Sequence, residues 1–355
     1  MRKPVLSQIP VTAIVQHEAW APLTAFTATL VTVWWLIRSR FSTIALDHPN
    51  RRSLHQAPVP RTGGIGLHAG IVLAWAVVAP NLPPPTGLTF ALLLLVSFAD
   101  DVRGVPVVVR LAAHLLAAGV LAASLLLQDF GIVAAVVATL VIAWMTNLYN
   151  FMDGSDGLAG GMALFGFSFY GVAAWLSGSS AFALLNFSIA AAAAAFLVFN
   201  FHPARVFLGD VGSVPLGFLA AAFGLIGWLQ RDWTWWFPVL VFSPFIVDAS
   251  ATLARRLWRR ERVWEAHRDH YYQRLVQMGW GHRGTALAEY ALMLACGLTA
   301  LAALGLAAAA QTTVLAVTAA SYLLMISAVE RAWRMKPPAG PVNGNGERYA
   351  AKGDE

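Results

Sequence analysis

The sequence predicts an all-α polytopic membrane protein. Of its 355 residues, 58% are hydrophobic and only 12% are charged, whereas a soluble domain carries about 25% charged residues. The apolar residues fall in long runs, and a bilayer core needs roughly 20 apolar residues per spanning helix. This composition excludes most soluble enzymes, disordered proteins and disulfide-stapled domains. The single cysteine, Cys296, allows no intrachain disulfide.

Eleven apolar runs qualify as membrane spans, and a weak boundary at Gln311 leaves ten as the competing count. In chain order the runs are 22–36, 65–78, 88–98, 107–127, 132–148, 158–176, 181–201, 214–229, 235–253, 286–308 and 312–329. We treat 1–336 as one integral membrane domain, with candidate functional loops at about 47–64, 99–106, 147–160, 202–213 and 258–285. The Gly-, Pro- and charge-rich segment 337–355 is predicted to be a disordered cytoplasmic tail.

The basic residues predict the orientation. All but three of the 24 Lys and Arg residues fall on one side of the eleven-helix arrangement, and the exceptions are Arg2, Lys3 and Arg231. The positive-inside rule makes the basic side cytoplasmic. The N-terminus is then periplasmic and the C-terminus cytoplasmic.

Several aspartates lie at the cytoplasmic ends of the predicted spans. A charged side chain close to the membrane costs free energy, so such residues usually have a function. The adjacent Asp100 and Asp101 are either a solvated helix terminus or a site for divalent-metal or phosphate chemistry, since Mg²⁺ binds carboxylate and phosphate oxygens. Asp210 lies between glycines in the segment 207–213. It is either a helix N-cap or a further metal ligand.

A second polar segment follows the fifth run. Asn147, Asn150 and Asp153 are three residues apart, so a helix places them along one face. Gly154 and Gly157 are expected to end that helix and let the backbone approach a ligand closely. A polar helix cap is the alternative, but these residues together with Asp156 exceed what one cap needs.

The most basic loop, between the ninth and tenth runs, contains His267, His270 and Arg274. The two histidines are three residues apart and can share a helix face to bind a metal, although zinc would need two further nitrogen or sulfur ligands. Alternatively, the His and Arg donors bind a diphosphate. A solvated amphipathic helix held by anionic lipid headgroups is the plain alternative. Asp248, within the ninth run, has no assigned role.

The first cytoplasmic loop is rich in Pro, Gly and Arg. It runs from Asp47 to Gly64 and includes Arg61, and its donors suit phosphate. A positive-inside anchor without a catalytic role is the alternative.

Five of these segments, taken in order, resemble the polyprenyl-phosphate N-acetylhexosamine-1-phosphate transferase superfamily (glycosyltransferase family 4). The likeness is closest to its WecA-like branch, which initiates O-antigen and related glycans. The segments are the loop ending in Pro-Arg-Thr-Gly-Gly at 60–64, the Asp100–Asp101 pair, 147–160, 207–213 and the His267/His270 loop. The last loop lacks the adjacent histidines of the peptidoglycan relative and also differs from the His-x-His-His pattern.

The resemblance implies that N-acetylhexosamine-1-phosphate passes from a UDP-sugar to undecaprenyl phosphate, with release of UMP. It also implies Mg²⁺ or Mn²⁺ as cofactor and the bacterial inner membrane as location. The partners are then the lipid acceptor, the UDP-N-acetylhexosamine donor and membrane lipids, without nucleic acid, and a homodimer is left open. The donor sugar stays open among GlcNAc, GalNAc, FucNAc and QuiNAc. The alternatives are a phospho-N-acetylmuramoyl-pentapeptide transferase and, from another class, a transporter, whose acids would lie near the bilayer midplane.

The resemblance also implies roles for individual residues. The catalytic residues are expected to be Asp100, Asp101 and Asp210, with Asp210 and Asp101 as metal ligands. The nucleotide sugar is assigned to Asn147, Asn150, Asp153 and Asp156. The diphosphate is assigned to His267, His270, Arg274 and Arg61, with Arg51 and Arg52 as further phosphate contacts.

Overall fold

Helices account for nearly all regular structure in the described part of the chain. The computed structural model describes residues 18–47, 58–78, 82–262 and 267–335. The helices are α1 (Ala21–Arg38), α2 (Gly63–Val78), α3 (Pro84–Arg103), α4 (Val107–Phe151), α5 (Leu158–Ser177), α6 (Ser180–Asn200), α7 (Asp210–Gln230), α8 (Trp236–Val241), α9 (Ser243–Trp258), α10 (Tyr271–Leu275), α11 (Gly281–Leu304) and α12 (Ala308–Met335). Two short strands, β1 (Leu46–Asp47) and β2 (Val59–Pro60), pair antiparallel. The predicted all-α class is confirmed.

Each of the eleven predicted apolar runs coincides with helix. Within the described ranges, eight helices are long and apolar enough to cross a membrane, and α2 is a shorter apolar helix. Two predicted runs lie within α4, which is broken at Gly131, where φ is 79°. The ninth run is the broken pair α8 and α9. The chain is therefore a multi-pass membrane protein, while the tail at 337–355 and the arginines at 51 and 52 lie outside the described residues.

The most buried helices are α5, α6 and α7. In an apolar 18-residue stretch of each of these helices, 72%, 72% and 83% of the residues are buried, whereas the corresponding share in α12 is 6%. Phe167 of α5 packs edge to face on Phe223 of α7 and on Tyr170 of its own helix, and such contacts add to the packing of the core. The inner helices thus form the scaffold that carries the polar loops at their ends.

The first turn of α2 meets the start of α7 and the residues just before it through backbone atoms. Gly63 and Gly64 donate N–H hydrogen bonds to the carbonyl oxygens of Phe207 and Leu208, at 3.0 and 2.9 Å. A Cβ atom on Gly64 would lie only 2.4 Å from the nitrogen of Gly212. Small residues allow helices to approach this closely in a membrane. The contact joins the loop at 47–64 to the 207–213 segment.

Gly64→Ala is expected to destabilise the protein by about 1–3 kcal/mol, the usual penalty for forcing extra atoms into a packed interface. Gly87→Ala is the matched control, because a Cβ at this position in α3 meets nothing within 4 Å. That substitution should be neutral or stabilise by up to about 1 kcal/mol, since alanine loses less conformational entropy than glycine. Thermal unfolding of both variants in detergent measures the difference, and equal melting temperatures would contradict the close contact.

Candidate active site

Five carboxylates come together at one end of the helices, and we call Asp47, Asp100, Asp101, Asp153 and Asp210 the acidic cluster. They come from β1, the end of α3, the loop after α4 and the first residue of α7. Asp153 interacts electrostatically with Asp210, Asp101 and Asp47, and Asp101 with Asp100. Four separate predicted segments therefore contribute to one site.

Asp101 caps the N-terminus of α7. Its two carboxylate oxygens accept the backbone N–H groups of Asp210 and Val211 at 3.0 and 2.8 Å, and an acid is favourable at the positive end of a helix. Gly209, just before the helix, has φ of 72°, and a Cβ there would lie 2.8 Å from a carboxylate oxygen of Asp101. Because Asp101 provides the cap, the side chain of Asp210 is free for other contacts.

The side chain of Asp210 faces a cation and an amide. Its Oδ2 lies 3.2 Å from Nη1 of Arg110 and 3.4 Å from Nδ2 of Asn150. The same Nη1 of Arg110 donates to Oδ2 of Asp100 at 2.6 Å, so Arg110 bridges the two acids. Ser213 donates to Oδ1 of Asn150 at 2.7 Å, which orients that amide.

Arg110 has no role in the sequence-based hypothesis. It lies inside an apolar run of the sequence, in the first part of α4. A lone cation within an apolar span is costly and usually functional, and this signal was available from the sequence. The identity of its partners was not, because they come from α3 and α7.

Asp153 lies in the loop between α4 and α5 and has an unusual electrostatic environment. Burial, followed by the carboxylates of Asp210, Asp101 and Asp47, raises its pKa well above the usual value, while Arg61 opposes the shift. Among the described residues, no donor forms a hydrogen bond to its carboxylate. The cluster therefore has excess negative charge at this position and would favour a cation.

The raised pKa of Asp153 determines the direction in which the stability of the folded protein changes with pH. Above about pH 4 an unfolded aspartate is ionised, whereas the folded carboxyl keeps its proton to higher pH. Stability is consequently lost as the pH rises through the interval between the two pKa values. Asp153→Asn should raise the melting temperature at pH 7 in the absence of divalent cations and reduce the slope of melting temperature against pH. The exposed Asp129→Asn is the control, and an unchanged slope in Asp153→Asn would contradict the assigned environment.

The acidic cluster could bind Mg²⁺ or Mn²⁺ only if the substrate supplied some of the metal ligands. No group of three His, Cys, Asp or Glu residues in the described ranges is arranged to hold a metal by itself. Mg²⁺, however, is usually bound by one or two carboxylates together with waters and substrate phosphates. The donor chemistry and the charge excess at Asp153 fit such an ion. The assignment of Asp210 and Asp101 as its ligands stays a prediction.

The four residues assigned to the nucleotide sugar do not lie together. Asp153 is part of the acidic cluster and Asn150 contacts its member Asp210, whereas Asn147 and Asp156 have other partners. Oδ1 of Asn147 instead lies 3.2 Å from Nδ1 of His114. Asp156 is buried, and its Oδ2 lies 2.7 Å from Nδ1 of His202 and accepts the N–H of Ala204 at 3.1 Å. In the structure, Asp156 therefore organises the loop between α6 and α7.

The His267/His270 loop is anchored by Asp248 of α9. Nδ1 of His270 lies 3.1 Å from Oδ1 of Asp248. The N–H groups of Tyr271 and Tyr272 donate to the two oxygens of Asp248 at 3.0 and 2.8 Å. The two histidines do not share a helix face, because α10 begins only at Tyr271, but their rings stack with centroids 4.9 Å apart.

The same loop packs against the segment that follows α4. The hydroxyl of Tyr272 donates to the carbonyl oxygen of Phe151 at 3.2 Å, and a Cβ on Gly154 would lie 2.2 Å from that hydroxyl. Burial, helped by the neighbouring His270, lowers the pKa of His267 to about 4. The His267 ring is therefore neutral at pH 7.

The two arginines assigned to the diphosphate have protein partners. Nη1 of Arg274 lies 2.9 Å from Oε1 of Glu330 in α12, and the residue is 2% exposed. Nη2 of Arg61 donates to Oδ1 of Asp47 at 2.6 Å, and its charge reaches Asp101. Arg61 is thus beside the cluster, whereas Arg274 ties the histidine loop to α12.

An apolar cavity of about 270 Å³ adjoins the cluster. Its polar side includes Arg61, Thr62 and Asp101. Its remaining walls include Trp35, Leu36, Phe41, Ile44, Phe98 and Val211. An apolar chain can therefore lie next to charged groups at this end of the bundle.

The fold and the site define a class: a multi-pass membrane protein whose helix ends present carboxylates, arginines and histidines suited to phosphate chemistry. The glycosyl transferase family 4 profile matches residues 85–228. The chain is 28% identical to a probable undecaprenyl-phosphate N-acetylglucosaminyl 1-phosphate transferase of Bacillus subtilis, over 69% of this chain and 74% of the relative. It is also 28% identical to the undecaprenyl-phosphate alpha-N-acetylglucosaminyl 1-phosphate transferase of Yersinia pestis, over 82% and 85%.

A third relative is the phospho-N-acetylmuramoyl-pentapeptide-transferase of Moorella thermoacetica. It is 32% identical over 53% of this chain and 66% of the relative. The profile match and the names of these relatives confirm the resemblance to the polyprenyl-phosphate N-acetylhexosamine-1-phosphate transferase superfamily that was drawn from the sequence.

Proposed function

We propose that the protein transfers N-acetylhexosamine-1-phosphate from a UDP-sugar to undecaprenyl phosphate, releasing UMP and forming a lipid-linked sugar diphosphate. The observation that carries this proposal is the convergence of the acidic cluster with Arg61 and Arg110 at one end of a membrane bundle. The names of the relatives support a polyprenyl-phosphate acceptor and a sugar-phosphate donor. The apolar cavity beside Asp101 and Arg61 supports a lipid substrate.

The chemistry requires two anions to meet. In phosphoryl transfer the protein mainly positions the reactants and neutralises charge. Arg110, held between Asp100 and Asp210, would attract the incoming phosphates, and Arg61 provides a second cation at the rim. A bound Mg²⁺ or Mn²⁺, held by Asp210 and Asp101 with the diphosphate oxygens, would supply Lewis-acid charge neutralisation. Because a phosphate monoester is largely ionised at pH 7, the lipid phosphate needs little help from a base.

Other residues would hold the donor. Asn150 and Asp153 would contact the nucleotide sugar, and the neutral ring of His267 would contact its diphosphate. The histidine loop packs on the backbone beside Asp153 through Tyr272, so it would close one side of the diphosphate position. Arg274 would act there by holding the loop on Glu330.

For the donor we propose UDP-N-acetylglucosamine, because two of the three relatives described above carry N-acetylglucosaminyl in their names. The product would initiate an O-antigen or another surface polysaccharide at the cytoplasmic face of the bacterial inner membrane. A phospho-N-acetylmuramoyl-pentapeptide transferase is the second candidate, favoured by the Moorella thermoacetica relative. The transporter alternative is disfavoured because the acids lie at helix ends rather than at mid-span. A homodimer stays a prediction.

Purified protein in detergent, supplied with undecaprenyl phosphate and Mg²⁺, tests the proposal. UDP-GlcNAc, UDP-GalNAc, UDP-FucNAc, UDP-QuiNAc and UDP-N-acetylmuramoyl-pentapeptide are offered separately, and UMP is measured. We expect UMP with UDP-GlcNAc, and none when EDTA is added or the lipid is omitted. Release with the pentapeptide donor alone would favour the second candidate, and no UMP with any donor would exclude both.

A further inference from the structure

A second cavity lies at the opposite end of the bundle from the acidic cluster. Its volume is about 420 Å³. It adjoins the loop between α7 and α8 and combines aromatic and polar side chains, among them Trp228, Trp233, Trp235, Arg231, Asp232 and Thr234. None of these residues belongs to the proposed transferase site.

Two residues that line this cavity each carry a polar atom that lacks a partner within the described part of the chain. Oδ1 of Asp232 accepts hydrogen bonds from the hydroxyls of Ser177 and Ser179, at 2.6 and 2.5 Å. Oδ2 of Asp232 is buried without any hydrogen bond, as is Oγ1 of Thr234. Asp232 itself is only 8% exposed. A buried carboxylate oxygen without a donor is costly, so a donor-bearing ligand at this cavity would relieve the cost.

The charges of the cavity are complementary to a zwitterion. At this end of the described helices, Arg231 is the only Lys or Arg, and it stands directly beside Asp232 in the sequence. Arg231 ends α7 in the left-handed conformation, with φ of 65°, and it is exposed. Trp235 is 65% exposed, as expected of a tryptophan at the level of lipid headgroups.

We propose that this cavity binds the phosphoethanolamine headgroup of a membrane phospholipid. The primary ammonium would donate to Oδ2 of Asp232 and to the hydroxyl of Thr234, while the phosphate would pair with Arg231 and the acyl chains would run along Trp228 and Trp235. An ammonium with three N–H donors satisfies the two unpartnered oxygens. A trimethylated choline has no such donor, and a glycerol headgroup has no positive charge. The site is independent of the proposed transferase activity.

Native mass spectrometry of the full-length protein in detergent tests the headgroup. The probes are phosphatidylethanolamine, phosphatidylcholine and phosphatidylglycerol with identical acyl chains. We expect phosphatidylethanolamine to bind roughly tenfold more tightly than either other lipid, as befits hydrogen bonds to a charged group. Equal binding of the three lipids, or preference for phosphatidylglycerol, would overturn the proposal.

Variants locate the binding. Asp232→Asn and Arg231→Gln should each remove most of the preference, and Arg231→Gln alters no buried hydrogen bond of the protein. Asp129→Asn is the matched control, because this exposed acid lies at the same end but outside the cavity. If Asp232→Asn disturbs the Ser177–Ser179 turn, a lower melting temperature will reveal it, and Arg231→Gln then decides. Unchanged lipid preference in Arg231→Gln would overturn the proposal.

Discussion

Asp210→Asn is expected to lower UMP release by roughly a hundredfold to a thousandfold, the size of loss seen when one preorganised electrostatic group is removed from a transition state. Asparagine has nearly the same shape and can still accept from Arg110 and Asn150, which approach Oδ2 of Asp210 at 3.2 and 3.4 Å. The charge is what disappears. Because Asp101 rather than Asp210 caps α7, the helix should remain intact.

The loss of turnover in Asp210→Asn must be distinguished from misfolding and from a general effect of losing a negative charge. The melting temperature in detergent reports misfolding. It should stay close to that of the parent protein or rise, since Asp210 repels Asp153. Asp129→Asn controls for the general loss of a negative charge and should retain full turnover. The variant should also need more Mg²⁺ for its residual activity. Turnover at the parental level would remove Asp210 from the reaction centre.

The spans could be predicted because each one depends on local composition. Even the break in α4 falls in the gap between two predicted runs, at Gly131. By contrast, the contact of Gly64 with Gly212 joins residues that are far apart in the chain. Glycine frequency alone does not identify which helices approach closely.

The candidate site was predicted at the level of segments but not of individual contacts. Sequence spacing placed Asn150 and Asp153 at the end of a helix, and the structure brings both to the cluster. The sequence alone could not distinguish Asp101 from Asp210 as the cap of α7, because either acid is chemically suited to that role. The resemblance assigned Asp156 to the nucleotide sugar, whereas its partner His202 comes from the loop after α6.

The contacts of Asp248 could not be predicted either, because the sequence around a lone acid inside an apolar run does not show which residues it contacts. In the structure it accepts from the backbone of Tyr271 and Tyr272 and lies 3.1 Å from Nδ1 of His270. It does not touch the acidic cluster through any hydrogen bond among the described residues. We therefore expect it to be a positioning residue for the histidine loop.

Asp248→Ala is expected to reduce turnover about a hundredfold, because a misplacement of about 1 Å at a reacting centre has an effect of that order. Two backbone N–H groups would lose their acceptor, so the loop should also become more sensitive to limited proteolysis. Asp248→Asn retains one acceptor oxygen and should recover part of both properties, whereas a residue that only filled space would not show this order. The loss should appear more in KM for the UDP-sugar than in the Mg²⁺ requirement, because the loop adjoins the diphosphate position rather than the carboxylates. Parental turnover and proteolysis in Asp248→Ala would show that the loop does not depend on this acid.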